Sequence, residues 1–438
     1  MRIAVIGSGI AGLASAWLLS REHAVTLFDA NDYLGGHTHT HAIEIDARQY
    51  AVDSGFIVHN PRHYPLLTRL FAQLGVHCQP TTMSFSVRNE ASGLEYNTTS
   101  LDALFCQRRN LLSPRFLGML RDLVRFYRSA AALLEHPGPG PTLGDYLTEQ
   151  GYGEAFRDEH LVPMAAALWS APAGKIPSFP ARYLVEFMAN HQMLQLIGRP
   201  AWRVVRGGSS SYVKALRIRW RVRERLRCPV RAVRRGAGHV EVACDHGTER
   251  FDHVVLACHS DQALALLADA GERERDILGA IPYQTNDAVL HTDATLLPRH
   301  RKAWASWNAL IPRTPGSACT VSYWMNLLQS LDTPVPLIVT LNGMRAIEPS
   351  KVLRRMQYHH PLYTQASVAA RARRAEIQGQ RRTWFAGAYW GWGFHEDGMG
   401  SAVEVAAALG VRWSGSGQTV ADPPEHVEFG AGRELLAS

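Results

Sequence analysis

The sequence predicts an α/β fold that opens on a strand, a glycine turn and a helix, and two observations carry the prediction. The apolar run Ile3-Ala4-Val5-Ile6 leads into Gly7-Ser8-Gly9-Ile10-Ala11-Gly12 and an apolar helix through Leu19. A second short strand, Val25-Thr26-Leu27-Phe28, then ends on Asp29. Strand and helix alternating around such a turn describe a Rossmann-like unit. The chain has 438 residues, 46% of them hydrophobic, which is enough for two or three packed domains. Its 36 glycines and 23 prolines are too few for a low-complexity or collagen-like chain.

Each part of the opening unit has a mechanical reason. Gly7 permits the tight turn, Gly9 lets backbone approach a pyrophosphate, and Gly12 lets the helix pack close to the strand. Ile10 and Ala11 begin the helix, whose N-terminus attracts phosphate. Asp29, followed by Ala30, stands 17 residues past Gly12, where an acid accepts hydrogen bonds from a ribose and disfavours a 2′-phosphate. A signal sequence or short membrane span over Ile3–Ser20 leaves the three glycines without a purpose, so export is not expected.

The next segment, Asn31-Asp32-Tyr33-Leu34-Gly35-Gly36-His37-Thr38, places a second glycine pair directly after the ribose acid. Here the chain resembles the flavin amine oxidase superfamily, which includes phytoene desaturases, protoporphyrinogen oxidases and monoamine oxidases. The resemblance implies FAD, with Gly35, Gly36, His37 and Thr38 wrapping its pyrophosphate; His37 stands where arginine is commoner. It also implies a flavin contact near Gly55 and a backbone contact to the adenine at Val230, in Cys228–Val233. The hairpin His239 to Cys244 and Glu249 to Leu256 follows, with Asp252–Ala257 returning to the sheet.

Near the C-terminal end, Thr383–Ala386 reads as a strand and Gly387–Gly398 as a glycine-aromatic loop, followed by a helical stripe of Ala402, Val403, Ala406, Ala407 and Gly410. This is similar to the family's closing motif, which implies that Gly387, Asp397, Gly398 and Met399 meet the flavin. Many members carry an acid where this chain has Ala388; Glu396 and Asp397 are the nearby acids that could replace it.

The family pattern implies an amine oxidase-like two-domain flavoprotein: a Rossmann-like FAD-binding domain over 1–75, 200–262 and 380–412, and a discontinuous α+β substrate domain over 76–199 and 263–379. Residues 413–438 are expected to be a mobile tail. Within these bounds, Leu66, Leu67, Leu70, Phe71 and Leu74 form one helix face, stopped by Gly75. Phe116, Leu117, Leu120, Leu123, Val124 and Tyr127 form another, stopped by the proline-glycine run from Pro137.

Five stretches narrow the resemblance: Asp53–Val58, Met83–Val87, Ala303–Asn308, Tyr358–Pro361 and Gly393–Gly398. All are similar to bacterial flavoproteins encoded beside cyclopropane-fatty-acid synthases, one branch of which desaturates methyl-branched acyl chains on the route to furan fatty acids. That branch implies hydride transfer from a lipid acyl chain to flavin N5. An amine oxidase is the alternative, although the strand Asp287–Thr292 has no lysine of the kind such enzymes place near N5. A low-turnover flavin-containing lipid-binding subunit is the third reading. Desaturation also needs a base, for which His395 and Glu396 are the foremost candidates and His59 the next. Trp304, Trp307, Tyr323, Trp324, Trp390 and Trp392 are suited to lining an apolar channel.

Six scattered cysteines without a CxxC pair argue for reduced thiols in a cytoplasmic protein. No metal is expected, because His37, His39 and His41 alternate with only Glu44 nearby. The net charge of +7 hides a cluster: Arg199 to Arg235 holds thirteen basic residues against Glu224 alone. With Arg121, Arg125 and Arg128, that stretch reads either as a solvated face or as a contact for anionic phospholipid at the inner membrane face. No nucleic-acid-binding module accompanies it.

Overall fold

The computed structural model describes residues 1–135, 138–195, 198–314 and 319–413. The residues of the expected tail beyond Trp413 lie outside this range, as does Pro137.

Strands β1 (Arg2–Ile6), β2 (Ala24–Phe28), β3 (Val222–Arg225), β4 (His253–Leu256) and β5 (Thr383–Phe385) form one parallel sheet in the order β3-β2-β1-β4-β5. Both of its faces are covered, which is why these strands read as near-continuous apolar runs. Ile3, Val5, Leu27 and Val255 face one side with helices α1 (Ile10–Leu19), α2 (Pro65–Leu74) and α4 (His395–Ala408). Ala4, Ile6, Phe28, Val254 and Leu256 face the other, against the three-stranded antiparallel sheet of Val230–Arg235, Val240–Cys244 and Gly247–Phe251. The alternation follows from the two-residue period of a strand. The first strand of the expected hairpin thus pairs within the small sheet, and the chain re-enters the large one at β4.

A seven-stranded mixed sheet makes the second layer system. Its order is Val352–Pro361, Tyr283–His291, Ile338–Leu341, Thr320–Trp324, Trp307–Ile311, Phe85–Asn89 and Glu95–Asn97, with only the Trp307–Ile311 and Phe85–Asn89 pair parallel. A helical cluster packs on it, including α3 (Pro114–Ser129). The buried stripe of α3 is Phe116, Met119, Leu123 and Phe126, so the face is rotated from the expected one and Leu117 is left exposed.

Asp53 is a buried polar link between segments. Its carboxylate accepts from Thr40 Oγ1, from Ser209 N and Oγ, and from Gln329 Nε2. Full satisfaction is what makes an enclosed carboxylate tolerable.

The basic stretch forms no single face. It divides between strand Trp202–Val205, helix Ser210–Arg219, β3 and the small sheet, because the helix ends at Arg219 and the chain passes through Trp220 and Arg221 into β3. Several of its arginines are held in ion pairs: Arg217 with Glu224, Arg223 and Arg225 with Glu249, Arg231 with Asp245, and buried Arg235 with Asp269 and Glu274. Among the described residues, no helix is long and apolar enough to cross a membrane.

Candidate active site

The glycine turn between β1 and α1 gives its glycines different surroundings. Gly7 adopts φ +97°, and a Cβ there would meet the Ala257 carbonyl oxygen at 2.9 Å. A Cβ on Gly12 would overlap the Gly7 carbonyl oxygen, whereas nothing lies within 4 Å of a Cβ on Gly9. The open side of Gly9 faces a large cavity. Asp29 anchors the turn by accepting from Ser8 N and Asn31 N, each at 2.8 Å. The second glycine pair docks on the first turn: Gly35 N donates to the Ser8 carbonyl at 3.1 Å, and a Cβ on Gly36 would sit 3.1 Å from Gly9 Cα.

The far end of the chain meets this turn. Gly387 N donates to Ser401 Oγ, which donates to the Gly398 carbonyl. A Cβ on Gly398 would lie 2.7 Å from Ile10 Cγ2, so glycine there lets α4 approach α1. Two helix N-termini, at Ile10 and His395, therefore reach the same cavity and give it a positive partial charge.

The cavity is about 1310 Å³, beyond the usual 300–1,000 Å³ of a one-ligand pocket. Exposed lining residues mark one opening at Ala30, Asn31, Gln262 and Ala265, beside Asp29, and another at Thr98, Thr99, Arg199 and Ala201. Between them the walls include Phe56, Met83, Phe85, Leu104, Leu123, Met164, Trp169, Phe187, Trp202, Trp307, Tyr323, Leu341 and Trp392. Among the described residues, the only Asp, Glu, Lys or Arg lining this cavity are Asp29 and Arg199, one near each opening.

Comparison with known proteins decides the family. The model for the flavin containing amine oxidoreductases matches residues 10–293. The chain belongs to that family. It is an FAD-dependent oxidoreductase, with the amine oxidase-like two-domain fold that the sequence predicts. A carotenoid phi-ring synthase of Streptomyces griseus is 27% identical over 311 residues, 66% of this chain and 57% of that protein, so the match spans little more than half of the relative's length. Solved structures show the same fold at low identity. A fatty acid isomerase from P. acnes superposes with TM-score 0.67 at 16% identity, covering 93% of this chain and 98% of that one. A putrescine oxidase bound to putrescine gives 0.67 at 14%, covering 94% and 100%.

The residues present fit FAD. The open side of Gly9 and the two converging helix N-termini suit a pyrophosphate and an electron-rich ring system. His37 Nε2 is enclosed and has no hydrogen-bond partner among the described residues, as suits a group that waits for a ligand. Of the residues expected to hold the cofactor, Gly7, Gly9, Ile10, Ala11, Asp29, Ala30, Gly36, His37, Gly55, Val230 and Gly387 line the cavity of this oxidoreductase. Gly12, Gly35, Thr38, Gly398 and Met399 sit behind the lining and shape it.

Asp397 turns away from the cavity. Its carboxylate accepts from Phe394 N at 2.9 Å and packs against Gly391, so it caps α4 and holds the loop before it. Glu396 does the same for another helix, accepting from Leu66 N and Leu67 N at 2.8 and 3.0 Å. Burial pushes its pKa up to about 7 against those hydrogen bonds. Both its oxygens are engaged at the start of α2, and it does not line the cavity. His59 is enclosed beside Phe71, Phe56 and Tyr64, also outside the lining.

Of the three candidate bases, His395 alone lines the cavity. Its ring stacks on Phe56 at 3.8 Å, and Nε2 lies 3.0 Å from Thr38 Oγ1, which is 2.5 Å from Tyr212 Oη. Burial and the neighbouring His59 push its pKa down to about 3, so the imidazole is neutral. Around His37 the structure gathers His259 and His360, with Tyr358 5.0 Å from the His37 ring. Sequence reasoning gave no role to His259 or His360. The signal available was a histidine just past the end of β4, where α/β folds bind ligands. Among the described residues, no group of three or more His, Cys, Asp or Glu is placed so that it could hold a metal ion.

The aromatic expectation is met in part. Trp307, Tyr323 and Trp392 line the cavity, but Trp304, Trp324 and Trp390 do not. Trp304 and Trp324 pair edge to face at 5.1 Å under Arg301, and Trp390 packs against Tyr389 in the core behind the sheet.

Proposed function

We propose that this oxidoreductase desaturates a lipid acyl chain, such as a methyl-branched fatty acyl group carried in phospholipid. The observation behind the reading is the substrate half of the cavity, which is apolar and carries no formal charge between Asp29 and Arg199. An aliphatic amine is a cation, and burying it there without a carboxylate would be costly. None of the four lysines, Lys175, Lys214, Lys302 and Lys351, lines the cavity. The relatives named for a carotenoid and a fatty acid suit the same apolar chemistry. The five sequence stretches that resemble the flavoproteins encoded beside cyclopropane-fatty-acid synthases, one branch of which desaturates methyl-branched acyl chains, support the same reading.

On this reading the parallel sheet lies in an FAD domain over 1–75, 200–262 and 380–412, and the seven-stranded sheet in a substrate domain over 76–199 and 263–379. Gly7, Gly9, Asp29, Gly36, His37 and Val230 would hold the cofactor. FAD, when bound, supplies the acceptor for the substrate hydride. His395 takes the proton lost from the neighbouring carbon. The imidazole is neutral, and Thr38 and Tyr212 fix the ring against the cavity. The aromatic walls hold the chain straight and exclude water. The protein works from the cytoplasm on chains presented at the membrane.

The test is anaerobic mixing of the yellow holoprotein with substrates. Detergent-dispersed methyl-branched acyl phospholipid should bleach the flavin band at about 450 nm, and polyamines should not. Bleaching by polyamines alone would restore the amine oxidase, and bleaching by neither would make the protein an accessory subunit.

A further inference from the structure

We propose that the rim around the Arg199 opening is a docking surface for an anionic phospholipid bilayer, formed by α3 and the segment before it. This deepens, and rests on, the reading of the substrate as a lipid chain. Four leucines stand exposed in this region: Leu101 at 76%, Leu111 at 49%, Leu112 at 87% and Leu117 at 44%. Singly exposed leucines are ordinary on a soluble protein; four within one short stretch of chain are not.

Their position ties them to the cavity. Leu101 opens the helical turn Leu101–Leu104, whose last residue lines the cavity. Leu111 and Leu112 lead directly into the Ser113 cap of α3, and Leu117 lies one turn along it. Further along the same helix, Leu120 faces both the cavity and a shallow outer groove shared with Arg121, Val124, Arg125, Arg128 and Ser129. Tyr127 lines the cavity and receives a hydrogen bond from Arg199 at the opening. An apolar path therefore runs from the exposed leucines, past Leu120, to the interior.

The charges around this path complement a phosphate layer. Arg108, Arg115, Arg121, Arg125 and Arg128 flank the leucines. The acids facing them are Asp102, paired with Arg108 and Lys302, the buried Asp122, 3.5 Å from Arg121 and Arg125, and buried Glu159, 3.3 Å from Arg115. Arg128 has no ion-pair partner among the described residues. Leucines between arginines suit an interface with acyl chains below and phosphates above. A protein partner would gain nothing from the adjoining opening, whereas a bilayer gives its chains a route inward that never crosses water.

Vesicle sedimentation of the holoprotein tests this surface. Vesicles of phosphatidylcholine with phosphatidylglycerol should carry the protein down at low salt, and phosphatidylcholine alone should not. The pair Arg121→Glu and Arg128→Glu should weaken partitioning at least about 30-fold. The pair Leu112→Ser and Leu117→Ser should weaken it at least about tenfold. Both pairs should keep their flavin and be bleached by detergent-dispersed substrate at the parent rate. Three results would overturn the docking surface: no binding of the parent to anionic vesicles, unchanged binding of both variants, or a solution dimer broken by the same substitutions. Vesicle binding through this face without bleaching by any lipid would support the surface while refuting the substrate, and bleaching without vesicle binding would do the reverse.

Discussion

The carboxylate of Asp29 accepts a hydrogen bond from the backbone N–H of Ser8 at 2.8 Å, tying the end of β2 to the glycine turn that opens α1. Asp29 therefore shapes the glycine turn before α1. Asp29→Ala removes this tie and the acid proposed to meet the ribose, and should weaken FAD binding at least about tenfold, the loss expected from one charge-assisted hydrogen bond. The ratio of flavin to protein absorbance after gel filtration measures it. Full flavin occupancy would show that the ribose is held elsewhere.

Gly9 and Gly12 should respond oppositely to the same added methyl group. A Cβ at position 12 overlaps the Gly7 carbonyl oxygen, so Gly12→Ala should cost several kcal/mol and yield little folded protein. The side of Gly9 is open, so Gly9→Ala should fold with an unchanged circular dichroism spectrum yet retain little FAD. Colour retained in Gly9→Ala would mean that no ligand approaches that side of the turn.

Glu396 separates a structural acid from a catalytic one. Because its carboxylate caps α2, Glu396→Ala should lower stability by about 1–2 kcal/mol while the rate of flavin reduction per bound FAD changes less than about threefold. Thermal unfolding and stopped-flow bleaching read the two effects. A hundredfold slower reduction with intact stability would make Glu396 the base.

His395→Ala should instead slow flavin reduction about a hundredfold or more while leaving the protein yellow, since general bases contribute factors of that size. A parent-like rate would move proton removal to another group in the cavity.

Buried histidines set the acid limit of the fold without cofactor. His59, His160 and His291 are enclosed, and burial pushes each pKa down to about 4. An unfolded histidine titrates near 6.5, so the unfolded chain binds more protons between about pH 4 and 6.5, and stability is lost as pH falls through that window. Asp53 and Asp397, pushed up to about 6, and Glu396, up to about 7, act in the opposite sense, losing stability as pH rises across much the same range. His259 and His360, also near 4, add to the first group, so the histidines outnumber the acids. Urea unfolding of the cofactor-free protein should therefore show several kcal/mol less stability at pH 5 than at pH 7. A midpoint that rises on acidification would reverse this balance.

The sequence by itself determined the strand, glycine turn and helix that open the fold, because their requirements are local. A turn that needs φ +97° at Gly7, a contact that admits no methyl at Gly12 and an acid at the end of β2 all lie within one stretch of chain, where residue type and spacing express them directly. The apolar periods of β1, β2 and α2 were legible for the same reason. Tertiary structure alone decided the rest. Side chains adjacent in sequence point to different neighbours: His395 reaches the cavity, while Glu396 turns to residues 66 and 67, more than three hundred positions away. The basic residues from Arg199 to Arg235 read as one cluster along the chain, whereas the fold divides them among separate strands and a helix and gives several of them acidic partners. The gathering of His37, His259 and His360, and the exposure of leucines beside an opening, depend on which segments pack together, and no period along the chain encodes that.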